Sequence, residues 1–396
     1  MKEVIYNAVK NYSENIAFVI KHQNGKDVEY ENVTYKRFLD DINKLGTALY
    51  KLGLKGKRIA IIGKNRYEWA LAHISNLLGG IVSVPLDKDL QYDELERSLI
   101  RSKADAIFFD EKLTDDITKL RNSEKTNLKE FICMTEKEGF CSVPELLNIG
   151  EKEIECGNND YINHEVDNDA MAILLFTSGT TSESKVVALC HRNLCSNLMD
   201  IATMLDVNSD DRFLSFLPIH HVFECTVGFL FAMSVGATIV FCEGIRHIAD
   251  NIKEYQVTAM ISVPILYENM YKKVLQGIDK KGKTKTVNFG KKLCKFLQFF
   301  GIDYRRKIFK DIHANFGGKL RLLVAGGAAF DPETEKGFNE LGIRMLQGYG
   351  LTETSPVVAA ENIYKKKNGT IGVPLEHVQV KLVDQDENGV GELCVK

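Results

Sequence analysis

Short unbroken apolar runs alternate with amphipathic stretches along most of this chain, and that alternation limits the fold more tightly than any other feature. Arg58-Ile59-Ala60-Ile61-Ile62-Gly63 reads as a buried strand, 68–78 as a helix, Ile81-Val82-Ser83-Val84-Pro85 as a second strand, 93–101 as a helix and 106–109 as a strand. Upstream, Phe38, Ile42, Leu45 and Leu49 recur at helical spacing after an N-cap at Thr34, and Gly53 sits where that helix should stop. Continuous apolar strands joined by amphipathic helices require a mainly parallel sheet with helices on both faces.

A polar, acidic stretch, Gly157-Asn158-Asn159-Asp160, separates this part from a resumption of the same pattern at Ala172-Ile173-Leu174-Leu175-Phe176. Further strands are expected at 238–241, 259–263, 320–324 and 344–346. From Thr370 onward short strands (377–383 and 392–395) flank a turn at Asp386-Glu387-Asn388-Gly389. At 396 residues the chain exceeds the size of a single hydrophobic core, so two or three packed units are expected.

Lys and Arg total 51 against 54 Asp and Glu, a net charge of -3 that asks for no nucleic-acid partner. Nine cysteines without a C-x-x-C pair suit reduced thiols in a cytoplasmic protein, and Cys190 and Cys195 read as core residues rather than metal ligands. The first residues lack an apolar h-region and a small-residue cleavage site, so no secretory signal is expected. The longest apolar stretch, 227–241, falls short of the roughly 20 residues that span a bilayer and reads as a buried helix running into a buried strand.

Three strings carry chemistry. Thr177-Ser178-Gly179-Thr180-Thr181-Ser182-Glu183-Ser184-Lys185 follows a buried strand and offers hydroxyls, backbone N–H groups and a lysine charge to phosphate oxygens. It is not a Walker A loop, because Ser184 precedes the lysine and Val186 follows it. Val324-Ala325-Gly326-Gly327-Ala328-Ala329 follows another strand with side chains small enough for a flat ring to lie on the backbone. Gln347-Gly348-Tyr349-Gly350-Leu351-Thr352-Glu353-Thr354 adds an aromatic face for a base and two oxygen donors for Mg²⁺. Taken singly, each is matched by a bland alternative: an exposed Ser/Thr loop, a tight turn, a glycine-rich turn around a buried tyrosine.

In this order the three strings resemble the adenylate-forming superfamily of acyl-CoA synthetases, luciferases and peptide-synthetase adenylation domains, and the resemblance runs from 59–85 through Gly391-Glu392-Leu393. It implies an α/β fold, the large N-terminal domain of adenylate-forming enzymes, with two mainly parallel sheets flanked by helices and the start of a small β subdomain. The expected division is 1–165, 166–369 and 370–396. It also implies roles for single residues. Thr177, Ser178, Gly179, Thr180, Thr181 and Lys185 would grip the phosphates of ATP. Gly326, Gly327 and Ala328 with Gln347, Gly348, Tyr349 and Gly350 would hold adenine. Thr352 and Glu353 would serve the phosphates, with Glu353 and Thr181 on Mg²⁺.

Leu217-Pro218-Ile219-His220-His221-Val222-Phe223-Glu224, and Val263-Pro264 followed by Tyr267-Glu268, are similar to the long-chain fatty acyl-CoA synthetase version, which puts His221 at the substrate pocket. The implied reaction is ATP-dependent activation of a long-chain fatty acid to acyl-AMP and then, with coenzyme A as co-substrate, to acyl-CoA, with Lys185, His221, Thr352 and Glu353 acting in catalysis. Alternatives are an acyl-AMP ligase that delivers to a carrier protein, and a degenerate nucleotide- or acyl-binding protein. The latter is motivated by Ser182, Ser184 and Val186, which stand where the family has glycine, proline and glycine. By the same resemblance the chain stops at Lys396 before a ribose-binding aspartate, a hinge and a mobile C-terminal lid domain, so it is expected to be the N-terminal portion of a longer protein.

The segment 276–309 interleaves Lys and Arg with aromatics, and it coincides with an extra helical insertion in long-chain members. Two readings stand open: a basic amphipathic helix pair in peripheral contact with a membrane surface, or a solvated helical face whose aromatics pack inward.

Overall fold

Ile59, Ala60, Ile61 and Ile62 are all completely buried, as a strand covered on both faces must be. In a computed structural model, which describes residues 1–25, 27–177, 185–362 and 366–396, this strand (Arg58–Ile62) lies near the centre of a seven-stranded sheet. Its order is Cys141–Ser142, Glu130–Cys133, Ala106–Phe109, Arg58–Ile62, Val82–Leu86, Met171–Thr177 and Lys185–Cys190, parallel except for the last pair. A second, nine-stranded sheet runs Val373–Pro374, Val357–Ala360, Arg344–Gly350, Leu322–Ala325, Ala259–Ser262, Arg212–Ser215, Thr238–Phe241, Ile16–Asn24 and Asp27–Thr34. Its interior is parallel and both margins are antiparallel. Val380–Val383 and Glu392–Val395 form a separate hairpin.

One core serves both sheets. Ile59, Ile61 and Phe108 of the smaller sheet and Phe213, Ile239 and Ile261 of the larger sheet belong to the same packed cluster. Between them lies the helix Tyr67–Leu78, buried at every residue except Glu68. Tyr35–Lys51 begins as expected, with the Thr34 hydroxyl accepting from the Arg37 amide.

The structure departs from the sequence reading in three places. The hairpin over 16–34 pairs with Thr238–Phe241 and the hairpin over 171–190 extends the smaller sheet, so the chain crosses the expected division at 165/166 in both directions. Asp27–Thr34 is exposed along most of its length; a strand with one open face offers no unbroken apolar run and suits an antiparallel margin. The strand expected at 344–346 continues to Gly350, because Gly348 pairs with Ala360 and Gly350 with Val357. A Cβ at Gly350 would lie 1.9 Å from the Pro356 carbonyl oxygen, an approach open to glycine alone. The helix expected within 227–241 opens with a π-helix, Glu224–Leu230, buried at every residue. Of the two readings left open for 276–309, inward packing of the aromatics is overturned: Phe289, Phe296, Phe299 and Phe300 point outward, because Gly290 and Cys294 supply the buried side of their helix (Thr284–Phe299).

Asn65 ties the two sheets together. Placed just after the strand Arg58–Ile62, its amide nitrogen donates to Ser215 Oγ (2.9 Å) and to the Leu217 carbonyl (2.7 Å), and its oxygen accepts from the Ile219 amide (3.0 Å). Asn65→Ala is expected to lower the unfolding free energy by about 2–4 kcal/mol, since part-buried backbone and hydroxyl groups lose their partners. Urea denaturation checks this, and a loss below about 0.5 kcal/mol, the range of an ordinary surface change, would contradict it.

Candidate active site at the strand ends

In an open parallel sheet the connections leaving the carboxyl ends of the strands form the crevice in which ligands bind. The three motif strings and the Leu217–Glu224 string leave from such ends. Gly326 follows Leu322–Ala325, the Leu217–Glu224 string follows Arg212–Ser215, and Thr352 follows Arg344–Gly350. Thr177 ends its strand directly opposite Lys185, with which it pairs across the hairpin. Ser178, Gly179, Thr180 and Thr181 lie outside the described residues.

Two contacts draw these strings together. The strand Lys185–Cys190 packs beside the 3₁₀ turn Thr352–Thr354, which sets Lys185 and the Thr352–Glu353 pair on neighbouring elements. The turn is held by Thr354, whose hydroxyl bonds the Leu351 and Pro356 carbonyls, while Glu353 stays exposed. On the other side, a Cβ at Gly326 would come within 2.8 Å of the Phe223 ring, so the pocket string rests on the small-residue strand end. Gly327, at φ +86, and Ala328 are exposed beside it, leaving an open shelf. Tyr349 is half-buried and pairs with Ala359.

Gln347 turns away from this shelf. It is buried, and its amide donates to Glu335 Oε2 (3.2 Å) while its backbone N–H donates to Glu361 Oε2 (3.1 Å). Lys366 Nζ sits 2.6 Å from Glu335 Oε1 and 3.4 Å from Glu361 Oε2. One lysine facing two buried carboxyls leaves an excess of negative charge, and burial raises Glu361 to about 7 against the pull of Lys366.

The rings of His220 and His221 lie with centres 4.3 Å apart, tilted at 44° to one another. Burial, then the neighbouring His221, push His220 down to about 4, with Asp87 3.7 Å away pulling the other way; partial burial lowers His221 as well, and its ring is exposed. Both rings are neutral at pH 7, fit for accepting or donating a hydrogen bond rather than for charge pairing. Next to them Glu224 is fully buried, and burial raises it to about 8 against a weaker pull from the Ser215 hydroxyl. It is therefore an uncharged acid in the wall behind the histidines.

As a metal site the region is sparse. No group of three or more His, Cys, Asp or Glu side chains gathers to hold an ion among the described residues. Glu353 with the Thr352 hydroxyl offers one carboxylate, the donor set of a Mg²⁺ that keeps its waters and takes its remaining ligands from phosphate. Sequence reasoning missed Asn65, Glu335, Glu361, Lys366 and Asn197, whose side chain bonds both the N–H and C=O of Val357. Only Asn65, a polar residue directly after a buried strand, carried a local signal.

With this geometry in place, comparison with known proteins is informative. A family model described as AMP-binding enzyme matches residues 5–396, and the chain belongs to that family. It is 26% identical to the long-chain-fatty-acid–[acyl-carrier-protein] ligase AEE15 of Arabidopsis thaliana, covering 90% of this chain and 56% of that protein. It is 28% identical to fatty acyl-CoA synthetase B of Dictyostelium discoideum, covering 95% of this chain and 60% of that protein. The chain thus spans less than two thirds of the length of these relatives. Among solved structures, the long-chain-fatty-acid-CoA ligase FadD1 of Archaeoglobus fulgidus superposes with a TM-score of 0.78 at 19% identity, covering all of this chain and 74% of that one. The fold is that of the N-terminal domain of adenylate-forming enzymes.

The buried acid gives a pH signature. Glu224 keeps its proton to about 8 in the folded chain and loses it near the ordinary 4.5 when unfolded, so the folded state holds the extra proton between these values. Its contribution to stability is full below 4.5 and is lost as pH rises to 8, a fall on the order of 3 kcal/mol between pH 5 and pH 8. Glu224→Gln is expected to remove that fall, measured as unfolding free energy at the two pH values; equal slopes in the two proteins would contradict the assignment.

Proposed function

We propose that this chain supplies the nucleotide- and acyl-binding part of an enzyme that uses ATP to activate a long-chain fatty acid as acyl-AMP, and then passes the acyl group to the thiol of coenzyme A. The observation that carries this reading is the convergence of the Lys185 hairpin, the Gly326 shelf, the Thr352–Glu353 turn and the His220–Glu224 wall at the carboxyl ends of two sheets.

In this reading the adenine lies on Gly326, Gly327 and Ala328 with Tyr349 beside it. The hydroxyls of Thr177, Ser178, Thr180 and Thr181, the backbone N–H of Gly179 and the charge of Lys185 would meet the phosphates. A carboxylate oxygen attacks the α-phosphorus, the bond to the bridging oxygen breaks, and pyrophosphate leaves with its charge drawn toward Lys185. Mg²⁺, when bound, would neutralise charge on the departing phosphates, and Glu353 with Thr352 and Thr181 are the residues that would hold it. Holding the two reactants side by side supplies the proximity contribution. Neutral His221 would orient the carboxylate, and an uncharged Glu224 would keep the wall behind it free of repulsion toward an anionic substrate.

The acceptor has a second reading, because one relative is named for an acyl-carrier protein and others for coenzyme A. Replacing coenzyme A with a phosphopantetheine-bearing carrier protein in the second step separates the two. Nine unpaired cysteines support a cytoplasmic location. No helix among the described residues is long and apolar enough to cross a membrane. A lipid-soluble acid is met at a lipid surface, and 276–309 is the part of the chain assigned here to peripheral contact with it.

The test is carboxylate-dependent exchange of labelled pyrophosphate into ATP. Lys185→Ala and Glu353→Ala are each expected to lower the exchange rate about a hundredfold or more while leaving the melting temperature unchanged. Exchange at the parent rate in both variants would overturn the site assignment.

A further inference from the structure

The helix Thr284–Phe299 is built inside out relative to an ordinary surface helix. Its inner side is supplied by Val287, Gly290 and Cys294, at helical spacing, against the core under the larger sheet. On the opposite side Phe289, Leu293, Phe296 and Phe300 recur four, three and four residues apart, with exposures of 67%, 38%, 62% and 60%, and Phe299 beside them reaches 86%. The rings touch one another, Phe296 to Phe300 at 5.2 Å and Phe299 to Phe300 at 5.3 Å. An unbroken apolar stripe on the solvent side of a helix marks a surface that something covers.

Charge identifies what covers it. From 276 to 309 the chain carries ten Lys and Arg against two Asp. Lys285, Lys292 and Lys295 run along one flank of the stripe, and Lys292 and Lys295 form no ion pair among the described residues. Lys292 and Lys295 also line a cleft of ≈ 620 Å³ between this helix and the helix Pro332–Glu340, together with Lys336 and Arg305. Lys283, Lys291 and Arg305 are paired to Asp311, Glu340 and Asp303, and a second copy of this chain laid on the same face would set the remaining cations against their own counterparts, so self-association is opposed. A bilayer bearing anionic headgroups meets both requirements: acyl chains for the phenylalanines and phosphate for the lysines.

We propose that this helix docks in the plane of an anionic membrane, inserting Phe289, Phe296, Phe299 and Phe300 and seating a lipid phosphate in the cleft at Lys292 and Lys295. The inference rests on the membrane contact proposed above and gives it a face, an orientation and a lipid charge. Docking by this face would bring the chain down on the layer that dissolves its acid.

Flotation of the protein with vesicles of phosphatidylcholine alone, and of phosphatidylcholine mixed with phosphatidylglycerol, tests the proposal without nucleotide or acid. The parent is expected to float with the mixed vesicles and to be released by salt, and F296S/F299S and K292Q/K295Q are each expected to bind about tenfold more weakly. The exposed rings of Phe296 and Phe299 contact one another's neighbour Phe300 and solvent, so F296S/F299S should melt at the parent temperature. Flotation equal in parent and F296S/F299S, or equal with both vesicle types, would overturn the docking face while leaving membrane contact intact. No flotation with either vesicle would overturn both, and a dimer in gel filtration that F296S/F299S dissolves would make a second copy the occupant instead. Pyrophosphate exchange with a short, water-soluble acid is read separately and stands or falls on its own.

Discussion

Gly326 has no Cβ, and the ring of Phe223 stands where one would lie. A methyl group there would sit 2.8 Å from the ring and push back the segment that leads into the buried π-helix Glu224–Leu230. That contact joins the end of one parallel strand to the connection that leaves another. It is possible because parallel strands present all their carboxyl ends on one side. The Asn65 clamp on Leu217 and Ile219 then fixes the same connection to the smaller sheet. The candidate residues at 217–224 and 326–328 therefore depend on strand packing rather than on their own loops.

The polar groups behind the shelf bear on the proposed binding of a polyphosphate. Glu224 stays protonated, and Glu335 and Glu361 share one lysine beneath Gln347. Uncompensated carboxylates near a polyphosphate would repel it, and burial that raises a carboxyl's pKa removes that charge without removing the side chain. Gly228 of the π-helix leaves room for the Glu224 carboxyl, since a Cβ there would lie 2.8 Å from Glu224 Oε2. Insertions of this kind inside helices are frequent at functional sites.

Much of this was legible in the sequence. The strands at 58–62, 82–86, 106–109 and 259–262 are apolar on both faces, and a strand of that kind announces itself by composition. The N-terminal hairpin was not legible, because Asp27–Thr34 is charged on its open face and carries no apolar run. The continuation of 344–346 to Gly350 was hidden by glycines that normally end strands; here Gly350 exists to clear the Pro356 carbonyl. At the candidate site, motif order singled out Gly326–Ala328, Thr352 and Glu353 as the residues to propose. The ion cluster of Glu335, Glu361 and Lys366 joins residues up to 31 positions apart with no shared pattern, and only folding brings it together. The direction of the phenylalanines on 284–299 was likewise undecidable, since apolar stripes look alike whether they face in or out.

In the proposed function adenine binds on the shelf at Gly326–Ala328 beside Tyr349. Photolabelling with 8-azido-ATP, followed by mass spectrometry of the labelled peptides, addresses it directly. Label within 324–329 or 347–351, displaced by unlabelled ATP, is the predicted result. The contradicting result is displaceable label in the cleft of ≈ 960 Å³ lined by Lys21, Lys64, Arg66 and Lys88, which holds none of the candidate residues.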